Sequence, residues 1–142
     1  MQGNVQTCVV PGGVEEIGDF ALPIYQMENV VLPEGIKRIG DNAFGLSSLK
    51  AVELPESTTI LGENAFNNCH NLKEIVIPEN VVEIGAECFS RCSELKKITI
   101  PASVTTIGGM AFEGCDKVTI YGEKGSYIQK YAEAYRIPFK VI

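Results

Sequence analysis

A tandem repeat of 22 to 23 residues runs through nearly the whole chain and restricts it to one kind of architecture. Aligned on proline, the copies fall at Pro11, Pro33, Pro55, Pro78 and Pro101, at steps of 22, 22, 23 and 23. Gly18, Gly40, Gly62, Gly85 and Gly108 keep the same steps. A unit this short cannot bury its own apolar side chains and must stack on copies of itself, so the period predicts a solenoid. The 142 residues suffice for one domain with a continuous core. A stack of this kind offers a ladder-like surface more readily than an enclosed catalytic pocket.

One unit reads Ala65-Phe66-x-x-Cys69-x-x-Leu72-x-x-Ile75-x-Ile77-Pro78-x-x-Val81-x-x-Ile84-Gly85. Alternation across Ile75, Val76 and Ile77 has the period of a half-buried strand. Pro78 lacks an N–H and fixes its φ, so it ends that strand and turns the chain. The segment from Val81 to Ile84 reads as a second short extended stretch, and Gly85 as a tight or positive-φ turn. From Gly85 to Leu95 the chain reads as a single helical turn or irregular coil. The strand pattern recurs at Val5-x-x-Cys8-x-Val10, Met27-x-x-Val30-x-Leu32, Leu49-x-x-Val52-x-Leu54 and Leu95-x-x-Ile98-x-Ile100. Phe44, Phe66, Phe89 and Phe112, begun by Leu22, form one column of core filler.

These motifs resemble the BspA-like family of leucine-rich repeats found in bacterial surface proteins, over roughly residues 5 to 121. The resemblance implies a right-handed solenoid of parallel strands, on large secreted or cell-wall proteins that bind host or matrix proteins. The chain departs from the pattern at Thr58, where the repeat calls for Val, and at Pro23 and Ile24 in the first unit. The last unit is shortened to Cys115-Asp116-Lys117-Val118-Thr119-Ile120-Tyr121.

The expected organisation is a repeat body over residues 1–121, of about five repeats, and a cap over 122–142. Ser126 and Gln129 fit a capping box. Ile128, Tyr131, Ala132 and Tyr135 then fall on one helical face, and the tail from Ile137 to Ile142 reads as a last extended segment. Gly122-x-x-Gly125-Ser126-Tyr127 followed by a helix is similar to the carboxy-terminal ends of many BspA-like chains, so Ile142 is expected at or near a true terminus. The amino end shows no comparable cap, and an open parallel edge invites pairing. Further repeats upstream, or self-association through this edge, are the expectation.

A net charge of −6 argues against a nucleic-acid partner, since phosphate binding needs a clustered basic surface. No apolar run approaches the ~18 residues that span a bilayer, so no membrane insertion is expected. The first residues have neither the basic nor the apolar region of a signal peptide. A surface or extracellular location is therefore implied only by the resemblance.

Cys69, Cys92 and Cys115 stand at steps of 23, Cys88 replaces the Ala of Ala43, Ala65 and Ala111, and Cys8 replaces a strand Val. All five read as small buried residues with free thiols. Cys88-x-x-x-Cys92 lacks the second ligand pair of a zinc site. His70, beside Cys69 in a loop, reads as a solvated side chain with no orienting carboxylate. Asp41-Asn42 and Glu63-Asn64 lack the spacing of a calcium loop, and no glycine motif cradles phosphate. No catalytic residue, metal or cofactor is expected.

What remains is the exposed face of the strand ladder. Alternation points two columns outward: Asn29, Ala51, Glu74 and Lys97, and Val31, Glu53, Val76 and Thr99. Lys50, Lys73 and Lys96 form a basic row at the strand entrance. The expected function is a non-catalytic protein-interaction module of a larger bacterial surface or secreted adhesin. Val31 and Val76 then serve as apolar contacts and the lysines steer acidic surfaces. An architectural spacer is the alternative. Carbohydrate binding is a third reading, disfavoured because the sheet columns contain no aromatic and the tyrosines cluster in the tail.

Overall fold

In the computed structural model, which describes residues 7–20 and 27–142, the chain winds into a parallel β-solenoid of about six turns. Val5, Leu22, Pro23 and Ile24 lie outside the described residues. Each turn contributes two short strands. The first ladder holds β1 (Thr7–Val9), β3 (Asn29–Val31), β5 (Ala51–Val52), β7 (Glu74–Val76), β9 (Lys97–Thr99) and β11 (Thr119–Gly122). The second holds β2 (Glu16–Ile17), β4 (Arg38–Ile39), β6 (Ile60–Leu61), β8 (Glu83–Ile84) and β10 (Thr106–Ile107). Helix α1 (Tyr127–Ala134) and β12 (Phe139–Val141) follow.

The strands are brief because each copy of the repeat carries its own stops. A proline closes most strands of the first ladder. A glycine follows each strand of the second, at Gly18, Gly40, Gly62, Gly85 and Gly108. The reason for Gly85 differs from a positive-φ turn. Its φ is not positive, and a Cβ there would sit 2.6 Å from the backbone nitrogen of Glu63. Successive turns touch backbone to backbone at this corner, and only hydrogen fits between them.

Between the second ladder and the first, the chain forms irregular turns rather than a helix. Asn42, Asn64, Glu87 and Met110 occupy one column of left-handed residues (φ 59, 57, 56 and 58°), and Leu46, Asn68 and Arg91 a second (φ 62, 59 and 63°). The N–H groups in this region reach the next turn, as in Asn42 to Glu63 O (2.9 Å) and Phe66 to Cys88 O (2.9 Å). The coil is therefore a third hydrogen-bonded ladder. Its backbone demand is met between repeats, which offsets the cost of left-handed non-glycine residues.

The two strand ladders differ in continuity. The second runs unbroken as β10-β8-β6-β4-β2, whereas the first splits into β1-β3-β5 and β7-β9-β11-β12. The split coincides with a change in coil length. Phe44 and Leu49 are five positions apart, while Phe66–Leu72, Phe89–Leu95 and Phe112–Val118 are six. In the longer coils the N–H of Leu72, Leu95 and Val118 donates to the carbonyl of Cys69, Cys92 and Cys115 (3.2, 3.1 and 3.4 Å), closing a turn. The shorter coil has no room for it, and the Leu49 N–H donates instead to Ser47 Oγ at 3.4 Å. At this change of coil length β5 and β7 do not pair. Lys50 N–H reaches Glu28 O and Lys96 N–H reaches Lys73 O, but among the described residues no such bond joins Lys73 to Lys50.

The core lies between the ladders and the coil. Phe44, Phe66, Phe89 and Phe112 stack with centroids 5.3, 5.4 and 5.7 Å apart and nearly parallel planes. Tyr131 of α1 ends the stack edge-on to Phe112 at 6.2 Å. Ile36, Thr58, Val81 and Val104 form a further buried column, in which the Thr58 Oγ1 has no hydrogen-bond partner.

Helix α1 starts as its sequence requires. Ser126 Oγ accepts from the Gln129 N–H (3.3 Å), and Gln129 Oε1 accepts from the Gly125 N–H (2.6 Å). Ile128 and Ala132 are fully buried against the last turn. Tyr135, expected on the same face, is instead 63% exposed, because it lies past the end of α1 as its C-cap. The tail returns as β12 and pairs parallel with β11, so the last repeat strand does not end as a bare edge.

Candidate functional site

The first ladder presents its outward side chains in register. Val9, Val31 and the neighbouring Glu53 continue through Val76 and Thr99 to Tyr121, as the pairings Val9↔Val31, Val76↔Thr99 and Tyr121↔Thr99 require. Asn29, Ala51, Glu74 and Lys97 form the second outward column. Val9, Val31 and Val76 are 67%, 52% and 63% exposed. Two members of the first column were not read from the sequence. Val9 lies on a strand that the pattern Val5-x-x-Cys8-x-Val10 already marked, but its outward position was not assigned. Tyr121, read as the end of the shortened last unit, stands on the sheet face, which corrects the view that these columns hold no aromatic. Lys97 Nζ lies 4.7 Å from its ring centroid and Lys140 Nζ 5.9 Å.

Charge divides the face along its two edges. At the strand entrance stand the exposed Lys50, Lys73 and Lys96, joined by Lys117. Lys50 Nζ pairs with Glu28 Oε1 at 3.2 Å, and Lys117 Nζ with Glu94 Oε2 at 3.0 Å. The Lys117 bond, with Lys96 and Lys73 nearby, holds the Glu94 carboxyl below the usual carboxylate value. At the proline edge the residue after each of Pro33, Pro55 and Pro78 is an exposed glutamate: Glu34, Glu56 and Glu79. The spacing that revealed the lysine row also carried this acidic row, which was legible and went unread.

The remaining candidates resolve into structural parts. The Sγ of Cys69, Cys92 and Cys115 donates to the carbonyl of Phe44, Phe66 and Phe89, at 3.2, 3.1 and 2.9 Å. These thiols are thus hydrogen-bond donors as well as filler, and Ser47 in the same column was the available clue. Burial pushes the Cys88 thiol up, and the Cys92 thiol, between two neighbouring sulfurs, is pushed up too. His70 is exposed in the turn that lengthens the coil, while the Cys69 thiol beside it is buried. Among the described residues no group of three His, Cys, Asp or Glu could hold a metal ion, and no helix is long and apolar enough to cross a membrane. On the second ladder Arg38 reaches Glu16 Oε2 (3.0 Å), Asp19 Oδ1 (3.5 Å) and Asp41 Oδ1 (3.5 Å). Asp19 and Asp41 also accept from the backbone of the next turn, at Asp41 and Glu63, both at 2.8 Å. This network ties turns together.

A parallel solenoid of 22- to 23-residue repeats, each opening on a short strand, fits the leucine-rich-repeat class. The chain belongs to the family of BspA type leucine-rich repeat regions, whose model matches residues 1–132 in six copies. Among solved structures it is similar to the leucine-rich repeat protein of T. pallidum, with 30% identity and a TM-score of 0.78 over 84% of this chain. It is also similar to a leucine-rich cell surface protein from Faecalibacterium prausnitzii A2-165, with 32% identity and a TM-score of 0.80 over 92% of this chain. The pneumococcal vaccine antigen PcpA shares the fold at 19% identity, with a TM-score of 0.76 over 98% of this chain. The chain spans 59%, 35% and 42% of those three solved chains. No curated protein matches it.

Proposed function

We propose that this chain is a non-catalytic protein-interaction module that engages its partner through the exposed face of the first ladder. The observation that carries the reading is the row of exposed valines, Val9, Val31 and Val76, on a face flanked by opposite charges. Exposed β-branched residues on an ordered sheet cost solubility, and a binding partner supplies the reason to keep them. Val31, Glu53, Glu74, Val76, Lys97 and Thr99 form the contact surface, and the exposed Lys73 and Lys96, with Lys50, steer an acidic partner toward the strand entrance. Residues 1–121 act as the repeat body and 122–142 as its cap. The cell-surface relative from F. prausnitzii and the greater length of all three solved chains support placing the module in a larger surface or secreted protein with an adhesive role toward host or matrix proteins.

The test is a solid-phase screen against matrix and host proteins, run with wild type and with a Val31→Glu, Val76→Glu double variant. Both positions are exposed, so the variant folds, and saturable binding that disappears with it supports the module. Binding to none of the screened proteins, or binding that the variant leaves intact, favours the spacer. Protease shaving of intact source cells, blotted for this domain, tests its location: loss of the band supports the surface placement, and a protected band sinks it.

A further inference from the structure

An open groove lies in the middle of the proposed contact face, between β5 and β7, the neighbours in the first ladder that do not pair. Its volume is about 370 Å³, and its walls include Ala51, Glu53, Glu56, Glu74, Val76 and Pro78. A second groove of about 310 Å³, toward β3, shares Glu53, Leu54 and Glu56 with it and adds Glu34. No lysine, arginine or histidine lines either one. Glu74 has a natural partner in Lys97, its cross-strand neighbour on β9, yet Lys97 Nζ is turned onto the Tyr121 ring. Among the described residues the carboxylates of Glu53, Glu56 and Glu74 have no ion-pair partner.

Deepening the interaction reading on which it rests, we infer that this groove seats an arginine side chain of an extended segment of the partner protein. The acids do not converge tightly enough to hold a metal ion. They are spread along a walled slot, which suits a planar cation with five donors directed to separate acceptors. The apolar walls at Ala51, Val76 and Pro78 match the aliphatic stem that carries such a head group. The exposed Val31 and Val76 flank the slot and contact apolar residues adjoining the arginine.

The probe is a fluorescein-labelled Gly-Arg-Val-Arg-Gly peptide, with its citrulline counterpart as the uncharged control. Binding is followed by anisotropy and mapped by amide NMR shifts on the whole chain. The expected result is saturable binding of the arginine peptide only, with shifts concentrated at residues 51–56 and 74–76. A Glu53→Gln, Glu74→Gln double variant weakens it by about tenfold or more, as loss of two charge-assisted acceptors implies. A Glu15→Gln, Glu83→Gln variant, which removes the same charge from exposed positions at the second ladder, does not. Equal weakening by both double variants, shifts elsewhere, or equal binding of the citrulline peptide overturns the assignment. The two readings fail separately. A screened protein lost with the valine variant but untouched by Glu53→Gln, Glu74→Gln sinks the groove and leaves the module standing. Arginine peptide in the groove with no protein engaged by the face does the reverse.

Discussion

Thr58 shows how a single residue is tolerated by a repeat that has no use for it. Its column partners Val81 and Val104 make the same backbone turn, donating to the carbonyls of Pro78 and Pro101 as Thr58 donates to Pro55 O at 3.0 Å. The hydroxyl therefore contributes no bond and is buried dry. Thr58→Val is expected to stabilise the protein by about 1 kcal/mol, because the new methyl replaces an unsatisfied polar group of the same size. Urea unfolding checks this, and a destabilised variant would mean that the hydroxyl has a partner after all. Glycine at the corners makes the opposite case. Gly85→Ala drives a Cβ into the backbone of Gly62 and Glu63 and is expected to cost about 1–3 kcal/mol. Gly109→Ala, where nothing lies within 4 Å of the added carbon, is expected to stay within about 0.5 kcal/mol of wild type. Equal effects from the two would refute close packing as the reason for the glycine column.

At the scale of the element, the one unpaired junction of the first ladder falls where the coil first lengthens. The sequence shows steps of 22 and then 23, but the step alone does not say where the added residue lies. It falls between Cys69 and Leu72, on the side of the turn that feeds the first ladder, so β6 and β8 still pair while β5 and β7 do not. Amide exchange should record the seam. Lys96 N–H, bonded to Lys73 O at 2.8 Å, is expected to be protected, and Lys73 N–H, with no carbonyl from β5's turn, to exchange at least about tenfold faster. Equal protection of the two would show that the ladder closes across the seam in solution.

Across the whole molecule, stability passes along the stack through nearest neighbours, and the weakest junction sets where it opens first. That junction is the seam, where one of two strand ladders is missing. Native-state exchange in low urea is expected to show the turns before β7 opening at lower free energy than those from β7 onward, which α1 and β12 also clamp. A single free energy for all slow amides would contradict this. At the capped end, burial, with Tyr135 and Tyr127 adding to it, raises the Tyr131 phenol to about 12. Its neutral form is favoured in the folded state, so its contribution is full below the ordinary tyrosine value of about 10 and is lost as pH rises through about 12. Tyr131→Phe should therefore lose less stability than wild type between those limits, measured by alkaline urea melts.

The repeat by itself determined that this chain stacks, because units of 22 to 23 residues with apolar columns have no other way to bury Phe66, Ile75 or Ile84. It also placed the strands at Pro78 and its equivalents, the Phe column and the capping helix, since these follow from local backbone preferences and periodicity. The tertiary structure decided what depends on contact between turns. It alone showed that the coil is a ladder of left-handed residues, that Gly85 is required by a neighbouring backbone, and that Cys69 donates to Phe44. It also showed that Tyr121 joins the sheet face and that a groove at Glu53 and Glu74 lies at the unpaired junction of β5 and β7. Periodicity fixes which residues share a column. Only the packing of one turn on the next fixes whether their backbones meet.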